Sequence, residues 1–258
     1  APRRNAGADR PGRRPRHDCA QEVALAILDH AGDVVNAVGP RGTTALLVAC
    51  EYRREAIARA LLDRGAKIDA LKTRLNSESA TTLAKIGTEK GIMLFGIKRD
   101  QKEADFRKLR LGPGDAILIS SDLVKGSLTS VDLSANHLTT YGMDMTGIKE
   151  LAAALGVNSA LTVANLLGNQ LDVESAKLLA EVAKQKGISL CGIRRDQSTA
   201  DFAIQGLGPG DAILISSDLV RGALTQVFAF CPPPQRDAFS VTLNLAFALN
   251  GFAAGPLR

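Results

Sequence analysis

Apolar positions recur along this chain with two alternating periods. Between residues 75 and 230, stretches spaced as i, i+3, i+4 and i+7 give way to short stretches in which apolar and polar residues alternate. The first spacing lines one face of a helix and the second lines one face of a strand. Ile148, Leu151, Ala152 and Leu155 follow the helical spacing, as do Ala176, Leu179, Ala180 and Ala183. The pattern predicts helices near 78–90, 113–124, 146–156, 174–186 and 209–220. It predicts strands near 93–97, 129–133, 162–166, 189–193 and 225–229. Two of the helices open on the same string, Gly112-Pro113-Gly114-Asp115 and Gly208-Pro209-Gly210-Asp211. Proline suits the first helical position, and an acid suits the positive first turn.

The identical openings belong to a larger duplication. Residues 90–134 align without gaps to 186–230 at an offset of 96, with 30 of 45 positions identical. A match this long marks a module copied whole. Inside it lies a finer period, seen best at Leu128-x-x-Val131-x-Leu133-x-x-Asn136-x-Leu138. It recurs as Leu161-x-x-Ala164-x-Leu166-x-x-Asn169-x-Leu171. The alternating apolar residues point inward from a short strand. The Asn amide is expected to satisfy backbone groups freed where the strand turns, in a core too dry to leave them unpaired.

This L-x-x-L-x-L-x-x-N-x-L pattern resembles that of leucine-rich repeats. The helix-bearing units are similar to the ribonuclease-inhibitor-like class, which includes activators of Ran-type GTPases. The resemblance spans roughly residues 75–230 and implies an α/β solenoid, a leucine-rich repeat horseshoe. Segments 97–111 and 193–207 depart from the pattern: each lengthens its unit with a loop, and neither carries the expected Asn. The copied module stops at Phe228-Ala229-Phe230, and Cys231-Pro232-Pro233-Pro234 breaks the period. Thr242-x-x-Leu245-x-Phe247-x-x-Asn250-x-Phe252 fits loosely, so 231–258 reads either as an irregular C-terminus or as a degenerate closing repeat.

Upstream, Thr44-Ala45-Leu46-Leu47-Val48-Ala49 is similar to the T-P-L-H-x-A opening of an ankyrin repeat, with two positions changed. Ile57, Leu61, Leu62, Gly65, Ala66 and Ile68-Asp69-Ala70 continue it, and residues 20–37 resemble the second half of a preceding unit. The resulting organisation is a disordered Arg/Pro-rich leader over 1–18 and an α-helical ankyrin-like segment over 19–71, about one and a half repeats long. The leucine-rich solenoid follows over 72–230. Ankyrin arrays usually need about three units to bury a continuous core, so this piece is expected to depend on stacking against a neighbour.

Charge narrows the partners. The formal net charge is +5, but six Arg against Asp9 and Asp18 put +4 of it into residues 1–18. Arg, Pro and Gly without apolar residues do not offset ordering entropy. The leader therefore reads as solvated, able to touch nucleic acid or an acidic surface weakly, while the rest lacks the basic field of a nucleic-acid binder. The four cysteines are scattered without C-x-x-C spacing, as expected of reduced thiols in a cytoplasmic or nuclear protein. Residues 1–18 lack an apolar h-region, so no signal peptide is expected there. The apolar stretch 241–257, interrupted by Asn244, Asn250 and Gly251, is shorter than the roughly 20 residues of a membrane span. No membrane role is expected.

Candidate chemistry is thin. The repeated Gly-Pro-Gly-Asp lacks the Lys and Ser/Thr of a phosphate-binding loop and reads as a helix entry. Ser120-Ser121-Asp122 and Ser216-Ser217-Asp218 set hydroxyls beside carboxylates, with no His nearby in sequence to act as base. His137 reads as a solvent-facing loop residue. Asp132 with Asp144, and Glu174 with Glu181, read as exposed charges rather than acid pairs. No catalytic set, metal cluster or cofactor loop is expected. Two constellations suggest binding. The basic pairs Lys98-Arg99 and Arg194-Arg195 each follow a predicted strand and would rim the concave face, ready for an acidic partner. The competing reading is a solvated loop neutralised by Asp100 or Asp196. Ser130, Asp132, Val163, Asn165, Gln226 and Phe228 would face the concave side.

The sequence thus leads to a non-enzymatic protein–protein interaction module, a scaffold or regulator using the concave face of a solenoid. Asn136 and Asn169 are expected to be structural. The alternatives are a regulator of a small GTPase, similar to the Ran activators, and an enzyme with an unrecognised site in the 194–206 loop.

Overall fold

A computed structural model describes residues 33–39, 44–66, 75–194, 199–202, 207–219 and 226–229. The chain divides into two compact units, Ala1–Lys67 and Ile68–Arg258.

In the first unit a 3-10 helix, Asp33–Asn36, precedes α1 (Ala45–Glu51) and α2 (Glu55–Asp63). Thr44 starts α1 by accepting the Leu47 amide on its hydroxyl at 3.4 Å, which satisfies one of the donors every helix start leaves open. The buried residues Leu46, Ala49 and Cys50 of α1 and Ala58, Leu61 and Leu62 of α2 form the core of the pair. Of the half-repeat read over 20–37, only 33–37 lie within the described residues.

The second unit alternates helices with short strands. Its helices are α3 (Ser77–Glu89), α4 (Pro113–Lys125), α5 (Thr146–Val157), α6 (Val173–Lys186) and α7 (Pro209–Leu219). Its strands are β1 (Glu103–Asp105), β2 (Ser130–Asp132), β3 (Val163–Asn165), β4 (Thr199–Phe202) and β5 (Gln226–Ala229). β1, β2 and β3 form an open parallel sheet in chain order, and β4 pairs with β5, also in parallel. Parallel neighbours require a crossover, supplied by α4 between β1 and β2 and by α5 between β2 and β3. Successive helices pack on one another from α3 through α7. The ten specified positions of the two patterns are all buried: Leu128, Val131, Leu133, Asn136 and Leu138 in the first, and Leu161, Ala164, Leu166, Asn169 and Leu171 in the second.

Helix starts follow local chemistry. Asn76 caps α3 through the Ser79 amide at 2.8 Å, and Asp172 caps α6 through the Ser175 amide at 2.7 Å. In the duplicated openings, Gly112 N–H donates to Asp115 at 2.7 Å and Gly208 N–H to Asp211 at 2.8 Å. The Gly-Pro-Gly-Asp strings are therefore helix entries.

Two expectations about strands need correcting. Residues 93–97 bend instead of forming a strand, and the long loop expected over 97–111 contains β1. The cause is Asp122 on α4, which accepts the amides of Leu94 and Phe95 at 2.7–2.9 Å. Donors held by a carboxylate are not offered to a neighbouring strand. The pairing passes to Glu103-Ala104-Asp105, where Ala104 is buried between two exposed acids. Phe106 then packs edge-on against Phe95, ring centres 5.2 Å apart. In the second copy the 189–193 stretch makes only isolated bridges, Ser189 with Val163 and Cys191 with Asn165. The loop expected over 193–207 likewise contains β4.

Candidate functional site

The parallel register sets side chains into rows across the sheet. Glu103, Ser130 and Val163 are partners in adjacent strands, and Ser189 continues their row through its bridge to Val163. Asp105, Asp132 and Asn165 form a second row, continued by Cys191. Between the rows Ala104, Val131, Ala164 and Leu190 are buried. Alternation along each strand sends them to the opposite face. Ser130, Asp132, Val163 and Asn165, expected on the open face, lie in these two rows and are half-buried. Gln226 and Phe228 lie in β5, and their side chains fall outside the described residues.

The second row is held by ion pairs and hydrogen bonds. Arg107 donates through Nε and Nη2 to Asp105 at 3.0 and 2.7 Å and lies 3.6 Å from Asp132. Asn165 Nδ2 donates to Asp132 at 3.3 Å. The hydrogen bond from Arg107 holds the Asp105 carboxyl below its ordinary range. Arg107 was not among the residues singled out from sequence, because β1 itself was hidden in an expected loop. The alternation Glu103-Ala104-Asp105-Phe106 was the available signal.

A groove of about 580 Å³ lies along the first row. Its lining includes Glu103, Thr129, Ser130, Thr162, Val163, Ser189, Arg194 and Asp218. Arg194 Nη2 approaches Glu103 Oε1 at 3.9 Å. Lys98 and Arg99 do not line this groove. The Lys98 amide donates to Gln101 at 3.1 Å, and the Arg99 guanidinium donates to the Gly91 carbonyl. Arg195 lies outside the described residues. Of the two basic pairs, only Arg194 among the described residues meets the strand face.

Asn136 and Asn169 are buried in the turns that follow β2 and β3. Asn136 accepts the Leu109 and Leu111 amides at 2.9 and 3.1 Å and donates to the Phe106 and Leu133 carbonyls, both at 2.8 Å. Asn169 donates to Leu133 and Leu166, both at 2.9 Å. Each amide thus ties its own turn to the preceding one.

The serine–aspartate strings serve the fold. Ser120 donates to the Ala116 carbonyl at 2.6 Å. Asp122 is fully buried on the Leu94 and Phe95 amides, with Lys125 Nζ at 3.5 Å. Its twin Asp218 accepts Ser189 Oγ, Leu190 N and Cys191 N on Oδ2 at 2.8, 2.8 and 2.9 Å. Asp218 Oδ1 is buried with no hydrogen-bond partner among the described residues. Burial raises the pKa of both carboxyls, the hydrogen bonds they accept opposing it. Asp211, which also accepts Gly168 N at 2.9 Å, is pushed up to about 6 by burial. The identity of these aspartates in both copies was the sign of their role, but nothing in sequence said which amides they would hold.

The suggested acid pairs are not brought together as such. Asp144 accepts Ser77 Oγ at 2.5 Å, and Asp132 accepts Ser134 Oγ at 2.6 Å. Glu174 pairs with Lys177 at 3.3 Å, and Glu181 accepts Gln185 Nε2 at 3.2 Å. No group of His, Cys, Asp and Glu suited to a metal ion occurs among the described residues. Among the same residues no helix is long and apolar enough to cross a membrane. No protein-family model matches the chain, and neither does any curated protein.

Proposed function

We propose that the second unit is a leucine-rich repeat solenoid and that the open face of its strands binds another protein, without chemistry of its own. The observation that carries this reading is the row Glu103–Ser130–Val163–Ser189 with its groove. Successive parallel strands hold side chains of mixed character in fixed spacing, and Ser130, Asp132, Val163 and Asn165 are half-buried there. Rigid rows of this kind bind with little ordering cost. The partner is met by both signs of charge: acids at Glu103, Asp105 and Asp132, and cations at Arg107 and Arg194.

The test is affinity capture from native lysate with three proteins: wild type, a Ser130→Arg/Val163→Arg variant, and a Lys149→Glu/Glu150→Lys variant on the exposed face of α5. A partner retained by wild type and by the α5 variant, and lost by the strand variant, is the expected outcome. Retention by the strand variant, or equal loss from both variants, would overturn the assignment to the strand face.

A further inference from the structure

From Ala104 to Val124 the first copy of the module differs from the second only at four consecutive positions. The first copy reads Arg107-Lys108-Leu109-Arg110, and the second reads Ala203-Ile204-Gln205-Gly206. Three cations therefore stand in one copy and none in the other, between flanks that do not differ. The second copy still forms the strand before these positions and the helix after them, β4 and α7. The cations are thus not what those two elements require. All four residues of the first copy are exposed, Leu109 at 48 %. Arg110 sits in the left-handed backbone region at φ 59°, where a β-carbon is unfavourable and a glycine, as in the second copy, carries no such cost. A charged side chain kept at such a position, in full exposure, suits recognition better than packing.

This turn is fastened to the next one, which adds apolar groups. Lys108 N–H donates to the Ser134 carbonyl at 3.1 Å, Leu109 N–H to Asn136 Oδ1 at 2.9 Å, and His137 N–H to the Leu111 carbonyl at 2.8 Å. The His137 ring lies 5.2 Å from the ring of Tyr141, and Tyr141 and Met143 are 68 % and 87 % exposed. Cations and exposed apolar side chains thus alternate along one hydrogen-bonded edge of the second unit. The acids close to it in sequence are engaged: Asp105 with Arg107, Asp144 with Ser77 Oγ and Asp115 with the Gly112 amide. Arginine beside exposed tyrosine is the composition enriched at protein-binding surfaces. Of the net charge of +5, +4 lies in residues 1–18, which leaves +1 for the rest. A nucleic acid calls for many neutralised phosphates, whereas an acidic stretch of protein needs only a few cations.

We propose that this edge binds an extended acidic segment of a partner protein, with its carboxylates on Lys108 and Arg110 and an aromatic or aliphatic side chain against Leu109 and Tyr141. The carboxylate contacts are charge-assisted, and the apolar contact removes exposed side chains from water. Both turns are already fixed by their hydrogen bonds, so little ordering is lost on binding. A six-residue segment reaches about 20 Å when extended, enough to run from one turn to the next. The edge lies beyond the rows of the strand face, and neither surface depends on the other.

The test is fluorescence anisotropy of the full chain with a labelled peptide, Glu-Asp-Glu-Phe-Asp-Glu, against its amide counterpart, Gln-Asn-Gln-Phe-Asn-Gln. The expected result is saturable binding of the acidic peptide alone, weakened by salt and about tenfold weaker in Lys108→Ser/Arg110→Gly. Tyr141→Ala is expected to weaken binding severalfold. All three substituted residues are exposed, so unfolding midpoints are expected to stay at or above that of wild type. Ser130→Arg/Val163→Arg, on the strand face, is expected to bind the peptide no more weakly than wild type. No saturable binding, or equal binding of the amide peptide, overturns the proposal. So does undiminished binding by Lys108→Ser/Arg110→Gly, which would place the peptide on the arginines of residues 1–18 or elsewhere. Tighter binding of a labelled oligothymidylate, lost in that same variant, would also overturn it, because the edge would then read nucleic acid. Loss of a captured lysate partner from the strand variant alone speaks to the strand face and leaves the peptide result untouched.

Discussion

At the residue scale the second unit depends on a few buried polar side chains whose whole hydrogen-bonding capacity is spent on the backbone. Asn136 is the clearest, with two amides on its carbonyl and two carbonyls on its amide nitrogen, drawn from segments up to 30 residues apart. Replacing it with Ala strands those backbone groups in a dry core. At roughly 1–3 kcal/mol for each unsatisfied group, Asn136→Ala is expected to lose about 3 kcal/mol or more, measured by urea denaturation. Asp211 gives a different signature. Burial raises its pKa to about 6, above the value of an unfolded carboxyl. The stability it contributes is therefore complete below about pH 4 and is lost as pH rises through about 6. Asp211→Asn keeps an acceptor for only part of the Gly208 and Gly168 contacts but does not titrate. The advantage of wild type over this variant is expected to be largest below about pH 4 and to shrink through pH 6, as read from denaturation midpoints at stepped pH. A constant difference would show that the Asp211 pKa is the same in the folded and unfolded chain.

At the scale of elements, helix α5 shows how two glycines in one helix can have opposite meanings. A Cβ added at Gly147 would sit 2.5 Å from the Pro113 carbonyl oxygen and 2.8 Å from the Ala116 Cβ, both on α4. The missing side chain is what lets α4 and α5 approach. A Cβ at Gly156 would meet only Val182 Cγ1, at an ordinary 3.8 Å. Gly147→Ala is expected to cost about 1–3 kcal/mol through overpacking, whereas Gly156→Ala is expected to gain up to about 1 kcal/mol from helix propensity. Thermal unfolding of the two variants checks both signs. The strands are governed by a similar competition: 93–97 has the apolar content of a strand, yet its amides go to Asp122 and the ladder moves to β1.

At the scale of the whole molecule, the duplication supplies its own control. Thirty identities in 45 positions reproduce the helix entry, the aspartate cradle and the strand that follows each loop, while the differences change what each copy presents. Lys125 stands 3.5 Å from Asp122 in the first copy, and Arg221 takes its place in the sequence of the second. Ser130 and Val163 are only half-buried, so the strand-face variant is expected to lose its partner with little change in unfolding midpoint. That separation distinguishes a lost surface from a lost fold.

Much of this architecture was legible in sequence. The bounds of α3 to α7 follow from apolar spacing, capping residues and the Gly-Pro-Gly-Asp entries, because these are local properties of a helix and its first turn. The rows through Ser130, Asp132, Val163 and Asn165 follow from strand alternation, and the burial of Asn136 and Asn169 from the need to pair turn backbone. The positions of β1 and β4, the reach of Asp122, Asp211 and Asp218 to amides 27 to 43 residues away, and the meeting of Arg107 and Arg194 with the acids of β1 were decided only by tertiary structure. Periodicity reports which face a residue occupies. It does not report which distant donor a buried carboxylate will meet, since that depends on how neighbouring helices and turns pack in space.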